Sequence, residues 1–287
     1  MALLYPSPDD DVEEYEDAVP AVRELLRHLA SSVLSLHRLE AVLAIGDWLE
    51  WPKPGPFIDP DFDDIGFHLS DDGAELKWPR RAAQGWTDDM RATVDKECRS
   101  VLARPEASRL VTRAFHRGDE SERHRALIIA PDVGVDLWDL GFASLKQEPL
   151  NLHYYGALLR TERHDRIASV LQTAEEHVLP HLGPEPQDQH GRILQGMAEC
   201  CLHKTLGAMH RKSVFSVPLV RAGLNASRFR SCREMAVRAL AYHHPLQWAT
   251  ALEPVLRRAL RDEPRPDLRT KVRALLLLTR KMPPASS

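Results

Sequence analysis

Apolar residues recur at three- and four-residue spacing along most of this chain, the period of helices with one buried face. Val22, Leu25, Leu26, Leu29, Val33, Leu34, Leu39, Val42 and Leu43 follow it. They predict a helix opened by Pro20, bent near Ser31-Ser32 and ended at Trp51-Pro52. Residues 51–64 hold four prolines and no period. Around Ser70-Asp71-Asp72-Gly73 the pattern changes to alternation, and Ile65–Leu69 with Ala74–Trp78 predict a short hairpin on an Asp-Gly turn. A poor helix would also fit there. From Thr87 the period is helical to the end. Thr87-Asp88-Asp89 predicts the cap of a helix carrying Met90, Val94 and Val101, and Pro105 opens another that Gly118 ends. Further helices are predicted at 119–130, 135–145, 150–160, 165–179, 188–206, 214–224, 229–243, 246–260 and 268–280.

The links between these helices are short and hold Pro131, Pro149, Gly183-Pro184, Pro245, Pro264 and Pro266, so successive helices are expected to lie antiparallel. Composition agrees. Glycine is scarce, at 14 residues, and aromatics are 6%, which disfavours turn-rich sandwiches, barrels and glycine-rich nucleotide folds; proline reaches 21. The expected class is all-α.

Val237-Arg238-Ala239-Leu240 returns as Val272-Arg273-Ala274-Leu275, a period of 35 residues, with a weaker echo at Arg125-Ala126-Leu127. One helical hairpin has about that length, and self-similarity at this period marks stacked helical repeats. Leu268, Val272, Leu275, Leu276 and Thr279 form one stripe, matched by Met235, Ala236, Ala239 and Leu240. With the small Ala239 and Ala274 in leucine stripes and Pro254 inside Leu252–Leu260, the chain resembles HEAT-like repeat proteins. Residues 138–160 and 236–249 also resemble a family of bacterial HEAT-like proteins. The resemblance covers roughly residues 100–280 and implies a short curved α-solenoid; it brings no catalytic motif. The organisation expected is an acidic tail at 1–17, a helix and an irregular Pro/Asp-rich stretch with a possible hairpin at 18–86, and helical repeats at 87–287.

The formal charge of −4 conceals a division. Residues 1–150 carry 17 Lys and Arg against 30 Asp and Glu; residues 151–287 carry 21 against 12. No uncharged apolar stretch approaches the length of a membrane span, and the run Ala274–Leu278 is five residues. The first residues have neither a basic start nor an apolar core, so no signal peptide is expected and the cytoplasm is the expected compartment. Cys98, Cys200, Cys201 and Cys232 form no CxxC pair and read as reduced, mostly buried side chains.

Candidate chemistry is thin. Asp59, Asp61, Asp63 and Asp64 imitate the start of a calcium loop, but Asp64 stands where glycine is needed and Ser70 where glutamate is needed. His177 and His181 have a ligand spacing with Pro180 between them. Glu199, Cys200, Cys201 and His203 crowd one helix, yet neighbours at i, i+1 and i+4 cannot all face one metal. His243-His244 precede Pro245 at a helix end, where imidazoles suit terminal carbonyls. Asp132, Asp136 and Asp139 around Trp138 read as a solvated face before they read as paired acid–base carboxylates. GxSxG, P-loop and GxGxxG motifs are missing from the sequence. No catalytic residue, metal ligand or cofactor is assigned, and whether the chain is an enzyme stays open.

Three function classes follow. In the first the chain is a non-catalytic protein–protein interaction module. A specific form is an immunity or antitoxin-type protein holding a basic toxin through Asp59, Asp61, Asp63, Asp64, Asp71 and Asp72. In the second, Arg228, Arg230, Arg233, Arg257, Arg258 and Arg261, with Trp248 and Tyr242 for stacking, form a phosphate-binding stripe. The resemblance supplies a precedent for this, the concave basic face of HEAT-like alkylpurine DNA glycosylases. In the third, the oppositely charged halves pair between copies.

Overall fold

The computed structural model describes residues 33–50, 64–68, 75–79, 87–183, 186, 188–225 and 229–280, with Arg23 and Arg27. Apart from one two-stranded hairpin they are predominantly helical. The expected acidic tail at 1–17 lies outside them. The chain divides into two compact units, Met1–Leu137 and Trp138–Ser287, with the boundary inside the stretch predicted to be one run of repeats.

The first unit opens its described part with a break. Val33–Ser35 is not helical, and the Ser35 hydroxyl accepts the Arg38 N–H at 3.3 Å, an N-cap for α1, Leu36–Glu50. The single predicted helix over 20–51 is therefore interrupted at Val33–Ser35, directly after the bend expected at Ser31-Ser32. A hydroxyl cap competes with helix continuation there, which spacing of apolar residues cannot reveal.

Strands β1, Asp64–His68, and β2, Glu75–Pro79, pair antiparallel, Asp64 opposite Pro79 and His68 opposite Glu75. Three helices follow: α2, Asp88–Leu102; α3, Pro105–Arg117; α4, Glu120–Ile129. Their ends are sequence-encoded. Thr87 accepts the Met90 N–H, Pro105 sits in the first turn of α3, and Asp119 with Glu122 makes a reciprocal capping box on α4. A 3₁₀ turn, Ala130–Val133, ends on Gly134 at φ 72°, a left-handed conformation that glycine adopts without strain. α1 packs on α2, α3 and α4, around Leu39, Val42, Val94, Cys98, Val111, Ala126 and Ile129, all at most 2% exposed. The Ser108 hydroxyl ties α3 to the Val133 carbonyl at 2.8 Å.

The second unit holds α5, Trp138–Gln147; α6, Leu152–Leu158; α7, His164–His177; α8, Gln189–Arg211; α9, Val217–Asn225; α10, Arg230–Tyr242; α11, Ala249–Asp262; and α12, Pro266–Arg280. Each lies close to its predicted span. Prolines 131, 180 and 245 begin 3₁₀ turns in the links, and Pro266 is the first residue of α12 instead of part of a link. α6 packs on α8, α8 on α10 and α10 on α12; α7 packs on α9 and α9 on α11. Consecutive helices also touch, as α8 with α9 and α11 with α12. α9 comes very close: a Cβ on Gly223 would stand 2.8 Å from Leu206 Cδ1 and 3.0 Å from Ala236 Cβ. Val170, Leu202, Leu206, Leu219, Ala239, Leu252 and Leu256 are fully buried between these helices.

Candidate functional site

The arginines of α10–α12 sort into two sets. Arg233 Nε donates to Glu263 Oε2 at 2.8 Å, and that carboxylate is 5% exposed. Arg230 Nε donates to Glu234 at 2.8 Å, and Arg265 pairs with both Glu234 and Asp267. Burial alone would raise the Glu234 carboxyl, but hydrogen bonds from Arg230 and Arg265 outweigh it and hold the group below its ordinary range. These contacts clamp the start of α10 to the link between α11 and α12. Arg257 Nε donates to Glu253 one turn back at 3.1 Å. Arg258, Arg261 and Arg273 are exposed and make no ion pair among the described residues; Arg269 is half-buried and likewise unpaired.

Trp248 does not present a stacking face. It is 1% exposed, with Nε1 donating to the His243 carbonyl at 3.1 Å. Its apolar bulk was worth more inside the helix junction than at the surface. Tyr242, by contrast, is 52% exposed. Arg228 lies outside the described residues, as do Asp59, Asp61, Asp63, Asp71 and Asp72. Asp64 is the first residue of β1.

A line of imidazoles runs between α8 and α10. His203 and His210 are seven apart on α8, and the carbonyls of Ser231 and Arg238 on α10 are their backbone partners. Each ring keeps a buried Nδ1 with no hydrogen-bond partner. Burial holds both imidazoles below their ordinary range; the nearby charges of Lys204, Arg211 and Arg238 push the same way. His243 closes the line, Nε2 against the Met209 carbonyl at 2.8 Å and Nδ1 against Gln247 at 3.1 Å. The expected capping role is thus met differently. His243 reaches the last turn of the neighbouring α8, and His244 accepts the Leu246 N–H to start the next 3₁₀ turn.

Other candidates disperse. Among the described residues no three His, Cys, Asp or Glu side chains are placed to share a metal ion. Cys98, Cys201 and Cys232 are buried, and Cys200 is exposed. The Cys232 thiol donates to the Glu199 carbonyl at 3.3 Å, and burial raises the Cys98 and Cys201 thiols to about 12, far from thiolate chemistry. Asp139 pairs with Arg166 at 3.8 Å. That guanidinium lies over the Trp138 ring, which stacks on Phe142 at 4.7 Å, and Lys146 lies over Phe142. Sequence patterning missed this cation–aromatic stack, although Trp138, Phe142 and Lys146 stand four residues apart.

Patterning also missed a second apolar stripe on α12. Ala274, Leu277 and Leu278 are exposed, the two leucines at 51% and 45%. No helix among the described residues is long and apolar enough to cross a membrane. The chain matches no protein-family model, no curated protein and no solved structure.

Proposed function

We propose that this chain is a non-catalytic protein–protein interaction module built on a short solenoid of stacked, HEAT-like helical hairpins. The observation that carries the reading is the packing of alternate helices, α6 to α8 to α10 to α12 beside α7 to α9 to α11. Such stacking offers continuous side-chain surface and needs no closed pocket. The polar groups support it too. Among the described residues, buried groups such as Arg233–Glu263 and His243–Met209 join neighbouring helices.

Of the described arginines considered for a phosphate stripe, Arg230, Arg233 and Arg257 are held by the chain's own carboxylates, which leaves Arg258 and Arg261. Two exposed arginines favour a protein partner as well as a phosphate backbone. An immunity or antitoxin-type role remains the specific form of the proposal for the acidic half, where residues 1–86 hold 18 acidic against 7 basic residues. Its partner would be basic, and their association salt-sensitive.

The test is affinity capture of the tagged full chain expressed at its native level, washed at low and at high salt. One protein recovered in near-equal amount, and shed as salt rises, is expected. Recovery of the chain alone overturns the reading.

A further inference from the structure

The last helix of the described chain carries apolar residues on two sides. Leu268, Val272, Leu275 and Leu276 are at most 9% exposed and face the α10 and α11 packing. Thr270, Ala274, Leu277 and Leu278 sit at i, i+4, i+7 and i+8, the spacing of a second helix seam, and turn the other way. Helices that are apolar on both sides are ordinarily covered on both. α10 makes the comparison, since it shares the Val-Arg-Ala-Leu signature. Ala239 is 0% exposed there, on the side where Cys232 and His243 bond to α8 carbonyls. The matching Ala274 of α12 is open.

The edges of the open seam are charged unequally. Arg269 and Arg273 stand one turn apart along one edge and are unpaired among the described residues. Lys271 and Asp267 lie toward the other edge, and Asp267 is already bonded to Arg265. Two copies meeting antiparallel on this seam would set each arginine row against its own image, because like edges face each other in an antiparallel pair. A partner helix with an aliphatic stripe edged by carboxylates would meet both the seam and the row.

We infer that Thr270, Ala274, Leu277 and Leu278, edged by Arg269 and Arg273, form a docking seam for an acidic amphipathic helix of another protein. This rests on the interaction-module reading and names the partner chemistry of one of its surfaces.

The probe is a synthetic amphipathic helical peptide with leucines at its a and d positions and glutamates at e and g. A control peptide has lysines in place of the glutamates. Binding of both to the full-length protein is measured by fluorescence anisotropy. The acidic peptide is expected to bind at least about tenfold tighter than the basic one, a difference lost in Leu277→Asp/Leu278→Asp and reversed in Arg269→Glu/Arg273→Glu. The second variant leaves every apolar residue in place, and circular dichroism of both variants reports retained helix.

Equal binding of the two peptides, or acidic-peptide binding that survives both variants, overturns the seam. So does a concentration-dependent dimer that the leucine variant abolishes, since the occupant is then a second copy. Capture from native cells separates the two readings. A partner held equally by wild type and Leu277→Asp/Leu278→Asp leaves the module standing and removes the seam as its contact. Peptide binding without any native partner removes the module instead.

Discussion

Arg233 and Glu263 show how a charged side chain in this protein is used. The Glu263 carboxylate has left water almost completely, and Arg233 with the Arg265 backbone N–H supplies what water would have. Arg233→Ala should therefore cost about 2–4 kcal/mol in urea unfolding, while Arg258→Ala, exposed and without an ion pair among the described residues, should stay within about 0.5 kcal/mol. Equal effects would contradict the division of the arginines into two sets. The imidazoles give a pH dependence. His203 and His210 titrate below their ordinary 6.5 when folded, so the unfolded chain takes up protons first as pH falls. Their contribution is full above about pH 6.5 and is lost as pH drops through the folded values. Urea midpoints should fall between about pH 7 and 5, with a flatter profile in His203→Asn/His210→Asn; an unchanged slope would contradict the buried imidazole line. None of this was legible in the sequence. A histidine two letters before a proline looks like a helix cap, and only the fold reveals that His243 reaches the last turn of its neighbour.

At the scale of elements the sequence was far more legible. Predicted spans from Thr87 onward agree with the observed helices because apolar spacing, caps and prolines act locally and point the same way. The interruption at Val33–Ser35 escaped because a cap turns on one hydroxyl, while apolar spacing runs on through it. The repeated Val-Arg-Ala-Leu was legible as a signature but not as an environment: Ala239 is sealed against its neighbours and Ala274 faces water. Identical letters meet different surroundings when one helix is covered on both sides and the other on one. Close approach of α9 to α8 and α10 at Gly223 is a second property of packing alone. Gly223→Val should destabilise by about 1–3 kcal/mol or more, because the Ala236 Cβ cannot rotate away. A thermal midpoint at or above wild type would contradict this close approach of α9.

For the whole molecule, charge segregation was visible in the letters, but its placement was not. The acidic excess falls in residues 1–86, whereas the helices of the second unit keep much of their positive charge inside ion pairs. Of the described arginines in the candidate stripe, Arg258 and Arg261 make no ion pair, and an apolar seam on α12 comes forward that composition could not single out. The proposed function is to hold another protein. The native mass of the endogenous protein, read by size-exclusion chromatography with immunodetection in fresh low-salt extract, tests it most directly. A discrete species well above 32.5 kDa that returns to that mass at high salt is expected. A single species at 32.5 kDa in both conditions would contradict it.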